Sequence, residues 1–256
     1  LPMLIGNFAV LPLITTIHTP IFEYLSLGAE NRFPCDNHRF VMVSKSLRRT
    51  WNSIIEGAEV VYNGIDIRKW RFNADPEGDY LFWYGRICKE KGTHLAIEAA
   101  IKSQHKLILA GPISNDDYFN EYVSPLLTAG NIEYAGHLHQ AQINDLLCNA
   151  SAFLFTSTWS EPYGLTLAES LSCGTPVVAF DSGAAKEILT QDCGTIVEQG
   201  CLYKFIKAIY RTKKLNRHYC RLRAVNFCSH ELMVDAYVRI YNEISCDDEY
   251  MKESKL

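Results

Sequence analysis

A chain of 256 residues with 48% hydrophobic and 21% charged content carries enough apolar side chains for one large or two small globular domains, which excludes a disordered tail. A formal net charge of −4, with Lys and Arg scattered along the chain, gives no electrostatic footprint for nucleic acid and argues against polyanion binding. Nine cysteines, an odd number without a C-x-x-C pair, suggest neither a disulfide framework nor a zinc site and read as reduced cytosolic thiols.

The opening LPMLIGNFAVLPLITTIH is uncharged up to His18, yet it has no basic leader and is interrupted by Pro2, Gly6 and Pro12, so it reads as a buried strand with its approach loop. Starting at Leu and running at once into a strand-like segment, the chain gives the expectation that something upstream is missing. No later run approaches the roughly 18 to 20 apolar residues of a membrane helix. The expected location is cytoplasmic, with peripheral membrane contact left open.

VLPLITTIH (10–18), HRFVMVS (38–44) and EVVYNG (59–64) read as three strands of a first unit, residues 1–66. Residues 67–79, charged and carrying Pro76 and Gly78, read as a linker. From 80 to 228 apolar runs alternate with helix-length amphipathic stretches, the pattern of a doubly wound parallel sheet in an α/β protein. Strands are expected at 80–85, 106–111, 131–136, 152–157, 176–180 and 194–198, and helices at 93–103, 117–129, 140–150, 165–173, 184–189 and 202–212. Residues 229–256 read as a closing helix, 230–244, with Leu232, Ala236, Ile240 and Ile244 at helical spacing, followed by a frayed tail.

Ligands of such a sheet bind at the carboxyl ends of its strands. In TSTWSEPYGLTLAESLSCGTPVVAF, residues 156–180, Glu161 and Glu169 are separated by seven residues around a helix start. The amides of Gly164, Leu165 and Thr166 point out of that start, where the helix dipole favours an anion such as phosphate. Leu167, Ala168 and Leu171 suit the core, and the Glu169 side chain leans back toward the helix N-terminus. A carboxylate there would repel phosphate and instead accept from neutral hydroxyls such as those of a sugar; the plainer reading is that both acids only complement the dipole.

GRICKEKG, residues 85–92, places Arg86, Lys89 and Lys91 between a strand end and a helix start. Arg binds a phosphate oxygen pair as a fork and Lys acts as a point charge, so together they suit a diphosphate; a solvated basic loop is the alternative. Neither a Walker loop nor G-x-G-x-x-G is present. His18 closes the first strand, YAGHLHQ (134–140) could meet a flat ring through the backbone near Gly136 and Leu138, and Asp66 suits a cap.

Taken in order, NGIDIRKW, YGRICKEKG, AGH, SEPYGLTLAESLSCGTPVVA and GTIVE resemble the retaining glycosyltransferases of family 4, over residues from about 10 to 245 and most specifically over 161–179. That resemblance implies a GT-B fold of two Rossmann-like domains, here a donor domain plus a partial N-terminal acceptor-side domain. It implies that Arg86 and Lys91 hold the diphosphate of a nucleotide-sugar donor, helped by the amides at Gly164, Leu165 and Thr166. It further implies that Glu169 binds the ribose hydroxyls, Glu161 faces the transferred sugar, Leu138 lies against the base and His18 belongs to the acceptor side near the donor sugar.

The implied activity is a retaining, metal-independent hexosyl transfer without a cofactor, to a glycan, lipid-linked or protein acceptor that the sequence does not name. Most of the acceptor domain is absent from the pattern, so a missing lobe or a partner chain is expected. Two other readings are a nucleotide-sugar binding or scaffolding module that has lost transfer and a nucleotide-sugar epimerase; the latter lacks a matching catalytic base.

Overall fold

The computed structural model describes residues 12–31 and 38–253. Residues 1–11, including the first two of the strand expected at 10–18, and Cys35 lie outside the described residues, as does the side chain of Cys246. The chain divides into two compact units, one formed by the residues up to Gly64 with those from His230 onward, the other by Ile65–Ser229.

In the first unit β1 (Leu13–Ile17), α1 (Glu23–Glu30), β2 (His38–Met42), α2 (Lys45–Trp51) and β3 (Glu59–Val60) build a parallel sheet of order β1-β2-β3. The strand expected at 38–44 stops at Met42 because Ser44 caps α2, accepting from the Leu47 N–H at 3.0 Å. Trp51, fully buried, closes this helix against the loop after β1 by donating its indole N–H to the Thr19 carbonyl at 2.9 Å.

The C-terminal helix His230–Glu253 packs on this sheet and continues through much of the segment expected to fray. Its packed stripe is Met233, Ala236, Tyr237, Ile240 and Ile244 against Ile14, Val41 and Val61. Leu232, read as part of the stripe, is exposed, since a 3.6-residue period counted back from Ile240 meets Met233 instead. Tyr237 and Thr16 hydroxyls bond at 2.7 Å.

The second unit contains β4 (Tyr80–Tyr84), α3 (Thr93–Ser103), β5 (Lys106–Ala110), β6 (Ile132–Tyr134), α4 (Gln140–Asn149), β7 (Ala152–Phe155), α5 (Leu165–Ser172), β8 (Val177–Phe180), α6 (Ala185–Ile188), β9 (Gly194–Val197), α7 (Leu202–Thr212) and α8 (Arg217–Phe227). Its strands lie in the order β6-β5-β4-β7-β8-β9 and every neighbouring pair is parallel. The chain therefore starts in the middle, winds outward to β6, returns beside β4 as β7 and winds outward the other way. β7 and β8 are buried at every position, which is why they read as unbroken apolar runs rather than as alternation.

Three departures from the expected elements have physical causes. Residues 117–129 do not form one α-helix: an α turn at Asp116–Tyr118 widens into a π turn at Phe119–Val123 and tightens to 3-10 at Ser124–Thr128, because Pro125 lacks the N–H that an α-helix would need there. Residues 67–79 are packed into the second unit rather than strung out as a linker, with Ile67 and Trp70 buried and the Asn73 N–H donating to the Cys173 carbonyl at 3.2 Å. Helix α8 was not legible as a helix because its sequence, RHYCRLRAVNF, is too polar for a clear apolar stripe.

Arg217 explains how α8 binds nonetheless. Its buried guanidinium donates to the carbonyls of Asn73 (2.6 Å), Ala150 (2.8 Å) and Cys148 (2.7 Å), and to the Thr175 hydroxyl (2.9 Å). Three segments at the amino ends of the strands, around Asn73, Cys148 with Ala150, and Thr175, thus share one cation. No described helix is long and apolar enough to cross a membrane. Replacing Arg217 with Met, which keeps bulk but removes the donors, is expected to lower stability by about 2–4 kcal/mol, since several buried acceptors are then unsatisfied; urea unfolding with an unchanged midpoint would refute this.

Candidate functional site

The sheet reverses its winding between β4 and β7, and in an open α/β sheet the crevice outside the carboxyl ends of such strands is where ligands sit. The two loops that leave these strands carry the charged residues. After β4 the chain passes through Gly85 and Arg86 into a 3-10 turn, Lys89–Lys91, and enters α3 through Gly92. Gly92 has φ +64°, and a Cβ there would stand 2.3 Å from the Thr156 carbonyl oxygen. The loop is pinned to the one after β7: Thr158 donates its N–H to the Glu90 carbonyl at 2.8 Å and the Thr156 hydroxyl donates to the Lys91 carbonyl at 3.0 Å.

This pinning puts Lys91 beside Glu161. The Lys91 ammonium stands 2.5 Å from Glu161 Oε2, with their side chains 20% and 13% exposed. The same oxygen accepts from the Trp159 indole N–H at 2.9 Å and from the Ser157 hydroxyl at 3.3 Å, and Lys91 lies 5.3 Å from the Trp159 ring centroid. The Glu161 backbone is fixed as well, its carbonyl accepting from the Ala184 N–H at 3.0 Å. Sequence reasoning missed Trp159 and Ser157; their closeness to Glu161 in a loop was the available signal.

Gly164, at φ +96°, swings the chain into α5 with no side-chain cap. The first turn's amides at Gly164, Leu165 and Thr166 precede the 3.0 Å bond from the Leu167 N–H to the Gly164 carbonyl, so the positive end of the dipole faces the crevice. Leu167, Ala168 and Leu171 are fully buried, Leu165 is exposed and Thr166 half-buried. Glu169, one turn along, is half-buried and accepts a hydrogen bond from the Tyr84 hydroxyl. Burial raises the pKa of Glu169 above the ordinary carboxylate value and the Tyr84 bond draws it partly back. Tyr84 is pushed well above its usual value by burial and by the Glu169 carboxylate, and stays a neutral donor.

Arg86 is exposed, and its guanidinium makes no hydrogen bond or ion pair among the described residues. Arg86, Lys91, Glu161, Gly164, Leu165, Thr166 and Glu169 are thus gathered around the β4/β7 reversal. Leu138 follows β6, two strands away; the Gly111 N–H donates to the Gly136 carbonyl at 2.8 Å and joins the ends of β5 and β6 beside it. His18 belongs to the first unit, exposed at the end of β1, and desolvation lowers its pKa.

A small cavity at the reversal is lined by Tyr84, Gly85, Lys91, Thr156, Ser157 and Thr166. A larger one, about 650 Å³, opens at the amino ends of the strands between Ala74–Asp79 and Lys213–His218. Its buried cation, Arg217, is committed to backbone carbonyls, so the carboxyl-end crevice remains the better candidate. Among the described residues no three His, Cys, Asp or Glu side chains cluster to hold a metal ion, and the cysteines, such as Cys88 and Cys193, are free thiols.

The sequence matches the family described as Glycosyl transferases group 1 over residues 65–223. An uncharacterized glycosyltransferase of Methanocaldococcus jannaschii is 28% identical over 181 residues, covering 61% of this chain and 45% of its own length. The phosphatidyl-myo-inositol mannosyltransferase of Mycolicibacterium smegmatis is 25% identical over 213 residues, covering 77% of this chain and 55% of its own. The chain spans about half the length of the curated relatives it matches.

Among solved structures, AviGT4, a glycosyltransferase involved in avilamycin A biosynthesis, superposes with a TM-score of 0.71 at 25% identity over 80% of this chain and 63% of its own. Anabaena HepE, solved in complex with UDP, superposes with a TM-score of 0.76 at 21% identity over 92% of this chain and 72% of its own. The fold is accordingly of the GT-B type, made of Rossmann-like α/β units.

The Gly92→Ala variant combines an unfavourable left-handed backbone with a Cβ against the Thr156 carbonyl. It is expected to lose more than the about 1–2 kcal/mol of the backbone term alone. A thermal melt within a degree of the wild type would contradict the contact.

Proposed function

Since the chain belongs to the family Glycosyl transferases group 1, we propose that its second unit binds a nucleoside-diphosphate sugar and serves transfer of the sugar to an acceptor hydroxyl with retention of anomeric configuration, as in family 4. The observation that carries this reading is the meeting, at one strand reversal, of an uncommitted guanidinium, an ammonium, an uncapped helix N-terminus and two carboxylates in different environments. Support also comes from the relatives, two of which bear the names of a glycosyltransferase and a mannosyltransferase, and from a structural neighbour in complex with UDP.

In this proposal the bond from the anomeric carbon to the diphosphate oxygen breaks first in the transition state, and charge grows on the departing nucleoside diphosphate. Arg86, Lys91 and the α5 amides meet that charge, so no metal or other cofactor is needed in the reading. The acceptor hydroxyl attacks from the face the leaving group departs, and its proton passes to a leaving-group phosphate oxygen.

Glu161 is not assigned as a nucleophile: its Oε2 already accepts from Lys91, Trp159 and Ser157, which withdraws electron density, and Oε1 is left to accept a hydroxyl of the transferred hexose. Glu169 takes the ribose hydroxyls and Leu138 the base. His18 keeps, within this proposal, the acceptor-side role that the resemblance gives it. A binding or scaffolding module without transfer is not favoured, because the relatives carry the names of transferases.

Calorimetric titration with UDP, GDP and ADP, followed by the matching sugar donors with detection of released nucleoside diphosphate, tests the proposal; binding of none would overturn it. Arg86→Ala and Lys91→Ala are each expected to weaken the bound nucleotide by about 1–3 kcal/mol for lost hydrogen bonds to a charged group. Glu161→Ala should reduce transfer more than affinity. Because the raised pKa of Glu169 makes its carboxylate protonate earlier as pH falls, nucleotide affinity should decline at a higher pH than for an ordinary carboxylate, and in Glu169→Gln this acid limb should disappear. A wild-type affinity flat across the carboxylate range would contradict the assignment.

A further inference from the structure

Tyr84 is the last residue of β4, and strand alternation puts its ring on the same side as Phe82. The two rings stack at 5.5 Å with an 18° interplanar angle, and Phe153 of β7 closes on Tyr84 at 5.3 Å. A phenol clamped between two core rings delivers its hydroxyl to one point, and at that point stands Glu169 Oε2. A phenylalanine would pack equally well here but would leave a half-buried carboxylate without this donor. Glu169 is held from the sheet below α5, while its other oxygen, Oε1, makes no hydrogen bond among the described residues. A long side chain that would otherwise spread over several rotamers is thereby kept in one.

The geometry points to a positioning role for Tyr84, resting on the reading of Glu169 as the ribose-binding group: Tyr84 holds the Glu169 carboxylate in the orientation that accepts the vicinal ribose hydroxyls. The chain's preference for ribonucleotides over 2′-deoxynucleotides then belongs to the Tyr84–Glu169 pair and not to Glu169 alone. Arg86 and Lys91 act on the diphosphate, which both nucleotide types share, so a defect confined to the ribose separates the two parts of the site.

The test is calorimetric titration of the full chain with whichever of UDP, GDP and ADP binds best and with its 2′-deoxy counterpart, in wild type, Tyr84→Phe and Glu169→Gln, with thermal melting followed in parallel. The wild type is expected to favour the ribonucleotide by about tenfold or more, and Tyr84→Phe to lose most of that preference while binding the deoxynucleotide within about twofold of wild type. Glu169→Gln should lose the preference too.

A preference intact in Tyr84→Phe but lost in Glu169→Gln overturns the role of Tyr84 and leaves the donor reading standing. Equal weakening of both nucleotides in Tyr84→Phe marks a merely structural residue and also overturns it. A preference intact in both variants, or absent from the wild type, removes Glu169 from the ribose and the role of Tyr84 with it.

Discussion

Helix α5 has two chemically opposite ends, and the second unit is arranged around that asymmetry. At the C-terminal end Arg221 donates to the Ser172 carbonyl, and Arg217 reaches the Cys173 carbonyl at 3.4 Å along with four better-placed acceptors. The last carbonyls of the helix are thereby satisfied by cations, the favourable sign for that end of the dipole. At the other end Gly164 supplies no side-chain cap, so the first amides remain available. A helix sealed at one end and open at the other aims its unspent hydrogen-bonding capacity at the crevice between β4 and β7.

The two carboxylates near that open end differ in what holds them. Glu161 is fixed by an ammonium, an indole N–H and a hydroxyl on one oxygen, and its backbone by the loop after β8. Glu169 is fixed by a single neutral phenol from the sheet, in surroundings that raise its pKa through burial. A carboxylate paired with a cation is tied to that cation's position, whereas one held by a neutral donor keeps its full charge for further hydroxyl donors. The same residue type eight positions apart thus presents two different acceptors to a ligand.

Close backbone contacts keep these parts in register. A Cβ on Gly111 would stand 1.8 Å from the Gly85 carbonyl oxygen, one on Gly92 2.3 Å from that of Thr156, and one on Gly183 2.0 Å from that of Glu161. Each contact joins one strand-end loop to its neighbour, so the crevice is built of loops that brace one another rather than of independent arms.

The alternation of apolar runs and amphipathic stretches was enough to place β4 to β9 and helices α3, α5 and α7 to within a residue or two, because parallel strands are buried on both faces and helices must show one apolar face. The identities of Arg86, Lys91, Glu161 and Glu169 as residues at strand ends and a helix start were legible for the same reason: they follow from local order along the chain. What the linear order could not contain was which loop braces which. The bonds of Trp159 and Ser157 to Glu161 are short-range but depend on loop conformation, and that of Tyr84 to Glu169 spans 85 positions. Arg217, in a stretch too polar to read as a packed helix, gathers carbonyls up to 144 positions away. Local periodicity determined the elements and the chemistry each strand end could offer; the strand order, which sets β7 beside β4, decided which of those groups meet.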